Sequence, residues 1–266
     1  MTWNVKTGGI DRGRPDRLPA IAAVIDRERP DILALQELRD FDRHGGRRMR
    51  ELARTAGMTA HLAGSIFGQP VAVLVRPPLR IADRTSVRWR LHHAAAVAAV
   101  PTDAGQLAVV STHLNPVSPE RRRREARWLA ARYSSRAGLV VLAGDLNALD
   151  PGSDHADELA RLAAGYRRRH LAADGTADTR AMAAFASRGF VDLWPVVGRG
   201  DRRTAPTTGG GGPEFSGMRL DYVLAGAPVA GRARDGYVVR GGYAERASDH
   251  YPVVVDFDLA AGSGGG

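Results

Sequence analysis

Residues 140–148 read VVLAGDLNA, and the fold turns on how this stretch is read. Val, Val, Leu and Ala run without a polar break, too short for a stable helix and rich in β-branched side chains, so they predict a buried strand. A glycine and then Asp145 end the run, and Asn147 stands two residues further on. Asp-x-Asn is most often a turn or a helix cap. A buried strand that ends on a carboxylate also has the form of a scaffold holding out an acid.

Outward from this stretch the same form recurs. Short apolar runs at 32–35, 71–75, 94–100, 107–111, 220–224 and 253–257 predict further buried strands, as does 139–143 itself. Helical patterns at 17–29, 46–56, 119–133 and 179–188 lie between some of them. Strands dominate, and several follow one another with no helix between, which suits two mixed sheets packed together with helices outside better than a doubly wound parallel sheet. The glycine-rich segment 198–217 reads as a mobile loop. A single catalytic domain over 1–258 and a disordered Gly-rich tail over 259–266 are expected.

The chain has 266 residues, 44% hydrophobic and 25% charged, the balance of a globular protein. No apolar run reaches the roughly 18 residues that a membrane span needs. The N-terminus lacks the charged and apolar regions of a signal peptide, so a cytoplasmic location is expected. Met1 stands almost on the first strand, which leaves room for an upstream leader. Absence of cysteine excludes disulfides, thiolate metal sites and cysteine nucleophiles. A net charge of +9 and a pI near 10.8 favour a polyanionic partner. Lys6 is the only lysine, however, and the wealth of Arg, Ala and Gly is also what biased codon usage produces. A monomer is expected.

Polar residues collect at the strand ends. TWNVK places Asn4 after a short apolar start, ILALQEL places Glu37, VVSTHLNP places His113, RLDYVL places Asp221, and ASDHYPVVVDF puts Asp249 and His250 just before the last strand. Singly, each has a bland reading as a first solvated residue or a cap. Together they form a chemical inventory: carboxylate oxygens for a divalent cation, amides that orient without charge, and two imidazoles whose usual pKa of about 6.5 suits proton transfer. Oxygen ligands without thiolates or a histidine triad point to Mg²⁺ or Mn²⁺ rather than Zn²⁺.

The ordered set TWN, QE, THL, GDLNA, RLDYVL and SDH resembles the endonuclease/exonuclease/phosphatase superfamily, from Thr2 to about Phe257. The resemblance implies an α/β four-layer sandwich, two mixed β-sheets packed face to face with helices on both outer sides, as in deoxyribonuclease I. It implies Mg²⁺- or Mn²⁺-dependent hydrolysis of phosphoesters, with Glu37 the principal metal ligand and Asn4 and Asp249 in the same metal region. Asp145 and Asn147 would position the attacking water and the scissile phosphate, the aspartate as base or as ligand of a second ion. His250, oriented by Asp221, would act on the phosphate or the water, and His113 near the leaving oxygen.

Two departures stand out. Gln69 falls where deoxyribonuclease I carries a glutamate paired with its histidine; an amide can hydrogen-bond His113 without stabilising its cation. Lys6 replaces an aspartate of the apurinic branch, and a cation there would meet phosphate. Arg121–Arg124 open a helix whose predicted N-cap is Ser118 and whose Arg122, Glu125, Ala126 and Leu129 share a face, so Arg122 is a candidate for a substrate phosphate. HGGRRMR at 44–50 offers further arginines. Nucleic acid is the leading substrate, with a small or lipid-linked phosphoester as the alternative. An aromatic content of 6% argues against extensive base stacking.

Overall fold

The computed structural model describes residues 1–11, 13, 15–134 and 138–260. In chain order the strands are β1 (Thr2–Asn4), β2 (Ile32–Gln36), β3 (Thr59–Ala63), β4 (Val71–Val75), β5 (Asp83–Val87), β6 (Ala95–Thr102), β7 (Gly105–His113), β8 (Leu139–Asp145), β9 (Phe190–Asp192), β10 (Asp221–Gly226), β11 (Ala233–Val238) and β12 (Val253–Phe257). They form two six-stranded mixed sheets, ordered β11-β12-β1-β2-β4-β3 and β5-β6-β7-β8-β10-β9.

Strand β8 shows why its sequence is apolar throughout. Alternate side chains point to opposite faces. Val141 and Ala143 join the large core between the sheets, where Leu33, Val73, Ala98, Val109 and Val223 meet them. Val140 and Leu142 face the other way, into a second core. That core is closed by Ala126, Leu129 and Ala130 of the helix Pro119–Arg132 and by Phe185 of the helix Arg180–Ala186. Helices α1 (Leu18–Glu28) and α2 (Arg47–Ala56) add Ile21, Val24, Ile25 and Leu52 to the large core, and α3 spans Pro119–Arg132. The result is the four-layer α/β sandwich that the strand pattern and the resemblance imply.

Gly144 does not turn the chain. Strand β8 runs through it in register with β7, and at φ 153° an added Cβ would lie 1.8 Å from the Thr112 carbonyl oxygen. The glycine is there so that two strands can approach.

The segment 198–217 lacks regular elements but is tied down rather than mobile. Thr204, Ala205 and Thr207 are buried, and Ala205 exchanges backbone hydrogen bonds with Met218. A Cβ on Gly210 would meet the Ser248 oxygen at 2.2 Å, so glycine here serves close packing. Leu259 packs on the large core and its carbonyl accepts from Ala104, one residue past the expected domain end; residues 261–266 lie outside the described residues.

Candidate active site

Strand ends assemble the site. His113, Asp145 and Asp221 lie at the ends of β7, β8 and β10, and the register sets His113 beside Asp145 and Asp145 beside Asp221. In the facing sheet β1 and β2 end in register at Asn4 and Gln36, so Glu37 comes next. Strand β12 runs antiparallel to β1, which brings Asp249 and His250, just ahead of it, to the same end.

Contacts between the sheets then close around Asp145. Asn4 Nδ2 donates to Glu37 Oε1 at 3.0 Å and to Asp145 Oδ2 at 3.0 Å. The Nε2 atoms of His113 and His250 stand 3.4 and 3.8 Å from that same Asp145 oxygen. Behind His250, Nδ1 lies 2.7 Å from Asp221 Oδ2. The Asn147 backbone N–H donates to Asp145 Oδ1 at 2.9 Å, and its side-chain amide to the Leu114 carbonyl. Asp145 and both imidazoles are buried, and Glu37 is half-buried.

The backbone is strained where these groups meet. Lys6, Thr7, Glu37 and Asn147 have φ of 49°, 50°, 58° and 48°, a region that costs a non-glycine residue on the order of 1 kcal/mol. Local hydrogen bonds hold them: Thr7 N–H donates to Glu37 Oε2 at 3.0 Å and Lys6 N–H to Asn4 Oδ1 at 2.9 Å.

Charge follows the geometry. Burial opposes a charge on His250, but Asp221, Asp145 and Asp249 outweigh it and raise the imidazole well above its ordinary value, so it is a cation at neutral pH. Burial raises Asp145, against the pull of the two imidazoles. Glu37 goes the other way: burial is overcome by His113, by the N–H bonds of Asn4 and Thr7 and by His250, and its carboxyl stays below the usual range. Burial also raises Asp249.

Three candidates stand differently from expectation. Gln69 turns to Glu37, donating from Nε2 to Oε2 at 3.3 Å, rather than to His113, whose Nδ1 has no partner. Lys6 Nζ sits 3.2 Å from Asp249 Oδ2 and donates to the Gly210 carbonyl, so its charge is already engaged. Arg122 does not join the group: it is 1% exposed, and its guanidinium donates to the carbonyls of Asn115 and Arg169. The face shared by Arg122, Glu125, Ala126 and Leu129 is the buried face of α3, which ties this arginine to the fold instead of to a phosphate.

Sequence reasoning passed over Ser248, whose hydroxyl donates to the Asn4 carbonyl at 2.7 Å, and Trp3, whose indole N–H donates to the His250 carbonyl at 2.8 Å. Phe215 meets the His250 ring edge-on at 5.1 Å. The SDH and TWN motifs contain the first two, but only the paired strand ends show what they hold.

The sequence profile of the Endonuclease/Exonuclease/phosphatase family matches residues 1–250, a span that takes in every one of the site residues above. The chain belongs to this family. The endonuclease/exonuclease/phosphatase family consists of metal-dependent phosphoester hydrolases, and the chain is an enzyme of that class. Similar solved structures include an endonuclease/exonuclease/phosphatase from Bacteroides vulgatus, at TM-score 0.72 and 16% identity over 97% of each chain. An AP endonuclease from Archaeoglobus fulgidus aligns at TM-score 0.69 and 21% identity, over 97% of this chain and 98% of that one. A mannosyl-6-phosphatase of Bacteroides thetaiotaomicron gives 0.69 and 15% over the same shares. At these identities the likeness is one of fold. No curated protein matches the chain by sequence.

The family's metal requirement fits the donors present. Asp145, Asp221 and His250 offer ligand atoms within 4.8 Å of one another, but the imidazole is committed to Asp221 and positively charged. The region of Glu37 is better suited: a half-buried carboxylate whose pKa is held down, with the Gln69 Oε1 beside it buried and without a donor. All of these are hard oxygens.

Proposed function

We propose that the chain is a Mg²⁺- or Mn²⁺-dependent phosphodiesterase that cleaves nucleic acid. The observation that carries the chemistry is the Asp145 oxygen shared by Asn4, His113 and His250, with Asp221 behind His250. Hydrolysis of a phosphodiester needs an oriented water, neutralisation of the nonbridging oxygens and help for the leaving alkoxide. Asp145, raised by burial, takes the proton of the attacking water, with Asn4 and Asn147 fixing its carboxylate. His250, kept cationic, hydrogen-bonds a nonbridging phosphate oxygen. His113 stands on the leaving-group side. Glu37, with Asn4 and Asp249, would hold the metal, which when bound supplies positive charge against the phosphate.

Nucleic acid is favoured by cations on the loop that follows Glu37. This loop opens on a cleft of about 560 Å³ lined by Arg43, His44, Arg47 and Arg48 together with Ile10, Asp40 and Glu51. Arg48 is paired with Asp16 and Arg43 with Asp40, whereas exposed Arg47 has no ion pair among the described residues. Together with the net charge of +9 this is a surface for a phosphate backbone.

The test is an assay of the purified protein with Mg²⁺ or Mn²⁺ against plasmid, single-stranded DNA, RNA and a panel of small phosphomonoesters and diesters, beside His250→Ala. Metal-dependent cleavage of polynucleotide, lost in the variant, is expected. Turnover of small esters with untouched polynucleotide would overturn the substrate assignment, and no hydrolysis of any of them would overturn the reaction.

A further inference from the structure

On the His113 side four rings form a column from the surface to the site. Phe67 stacks on His92 with centroids 4.5 Å apart and planes at 19°, His92 meets His93 edge-on at 4.5 Å, and His93 stacks on His113 at 4.2 Å and 20°. The outer end is open to solvent. Phe67 is 61% exposed and Trp89, in the loop that carries both histidines, 86%; neighbouring Ile66 is exposed too. Large apolar side chains grouped in water mark a surface that something covers.

The inner end carries unmet hydrogen-bonding capacity. His93 is 5% exposed, yet neither of its ring nitrogens has a partner, and neither does His113 Nδ1. Buried polar atoms without partners are rare and need an explanation. The column's charge environment is cationic: exposed Arg90 lies in the same loop, and exposed Arg121 is close enough to act on His92, after burial and His113. Neither arginine has an ion pair among the described residues.

We propose that this rim is a subsite for an unstacked nucleobase beside the scissile phosphate, in single-stranded or locally opened nucleic acid. Phe67 offers a ring face for the base, Trp89 a second ring, and Arg90 and Arg121 the charge for the flanking phosphates. Stacking rings within a cationic groove are the chemistry by which unpaired strands are held without sequence preference. The aromatic residues are few, but Phe67 caps the ring column and exposed Trp89 lies three residues before His92 in the chain. The inference rests on the proposed nuclease reading.

The experiment compares a labelled oligodeoxythymidylate with an oligomer of equal length whose central nucleotides are abasic, by fluorescence anisotropy in EDTA and by cleavage in Mn²⁺. The protein is expected to bind the base-bearing strand about tenfold more tightly, the order of one base–aromatic stack. Phe67→Ala and Trp89→Ala should collapse that ratio, Phe67→Trp should keep it, and Val196→Ala, at an exposed apolar position on another element, should leave it unchanged. Equal binding and cleavage of both oligomers would overturn the subsite and leave the nuclease reading standing. Turnover of small phosphoesters with no oligomer bound or cut would overturn both. Binding to phosphatidylserine vesicles that Phe67→Ala and Trp89→Ala abolish, with no preference between the oligomers, would overturn the nucleobase in favour of a lipid surface.

Discussion

Asp145 takes one hydrogen bond from Asn4 and faces two imidazoles from a buried strand end, so its position is over-determined, while burial raises its carboxyl against the pull of the imidazoles. Replacing it by Asn keeps the shape and removes the proposed base; kcat is expected to fall by about 10²–10⁴-fold with KM little changed, read by steady-state kinetics. Asp221→Asn takes the counter-charge from His250 and should cost kcat in the same range; wild-type turnover would sink the pair's role. A residue far from the chemistry sets a pH limit. His170 is buried, and burial followed by Arg122 and Arg169 lowers it to about 3. Its unfolded value of about 6.5 is higher, so between those two values the unfolded chain binds the extra proton and stability falls as pH falls. The slope from this one group is about 1.4 kcal/mol per pH unit. Urea unfolding at pH 7.5 and pH 5 should therefore show a loss that His170→Gln reduces by roughly 2 kcal/mol. At this scale the site was legible: Asn4, Glu37, His113, Asp145, Asp221 and His250 all announce themselves as polar residues closing apolar runs. The partners of Gln69, Lys6 and Arg122 were not, because a long polar side chain can reach several neighbours and sequence spacing does not choose among them.

The elements read from sequence are those with two buried faces or a clear helical stripe. The strands missed, β3, β5, β9 and β11, are the four outer strands of the two sheets, and the helices missed are short ones such as Ala164–Arg167 and Ala244–Ala247. An edge strand has a neighbour on one side only and tolerates polar residues, so DRTSV in β5 carries no apolar run. Helix α3 shows the opposite case. Its buried stripe and its Ser118 cap, whose hydroxyl accepts from the Arg121 N–H at 3.3 Å, follow directly from spacing. The purpose of that stripe did not. Glu125 accepts the His92 N–H at 2.6 Å and the Asn115 N–H at 2.7 Å, clamping the histidine loop to the chain just past His113. Glu125→Ala leaves both donors buried and unpaired, so a loss of about 2–4 kcal/mol in unfolding free energy is expected, with kcat reduced because His113 loses its support. Unchanged stability in chemical denaturation would show that the clamp carries nothing.

Across the whole molecule part of the arginine is engaged in ion pairs, among them Arg180–Asp178, Arg199–Asp235, Arg203–Asp201 and Arg219–Asp192. Among the arginines without such partners in the described residues, Arg47 in the cleft after β2 and Arg121 beside His92 stand where the proposed polyanion would run. Each changed to Glu should weaken polynucleotide binding and lower the slope of log K against log salt by about 1 or slightly more, measured by anisotropy titrations. A salt slope unmoved by either change would confine the net charge to a matter of composition. The sequence by itself determined the strand-rich sandwich and most members of the candidate site, because burial on two faces and a polar stop at a strand end are local patterns that survive in one dimension. Only the tertiary structure decided which oxygen the two imidazoles share, that Gln69 serves Glu37, that Arg122 serves the core, and that Phe67 heads a column of rings ending at His113. Each of these depends on which strand ends and loops meet across two sheets, and that meeting is fixed by packing between segments far apart in the chain.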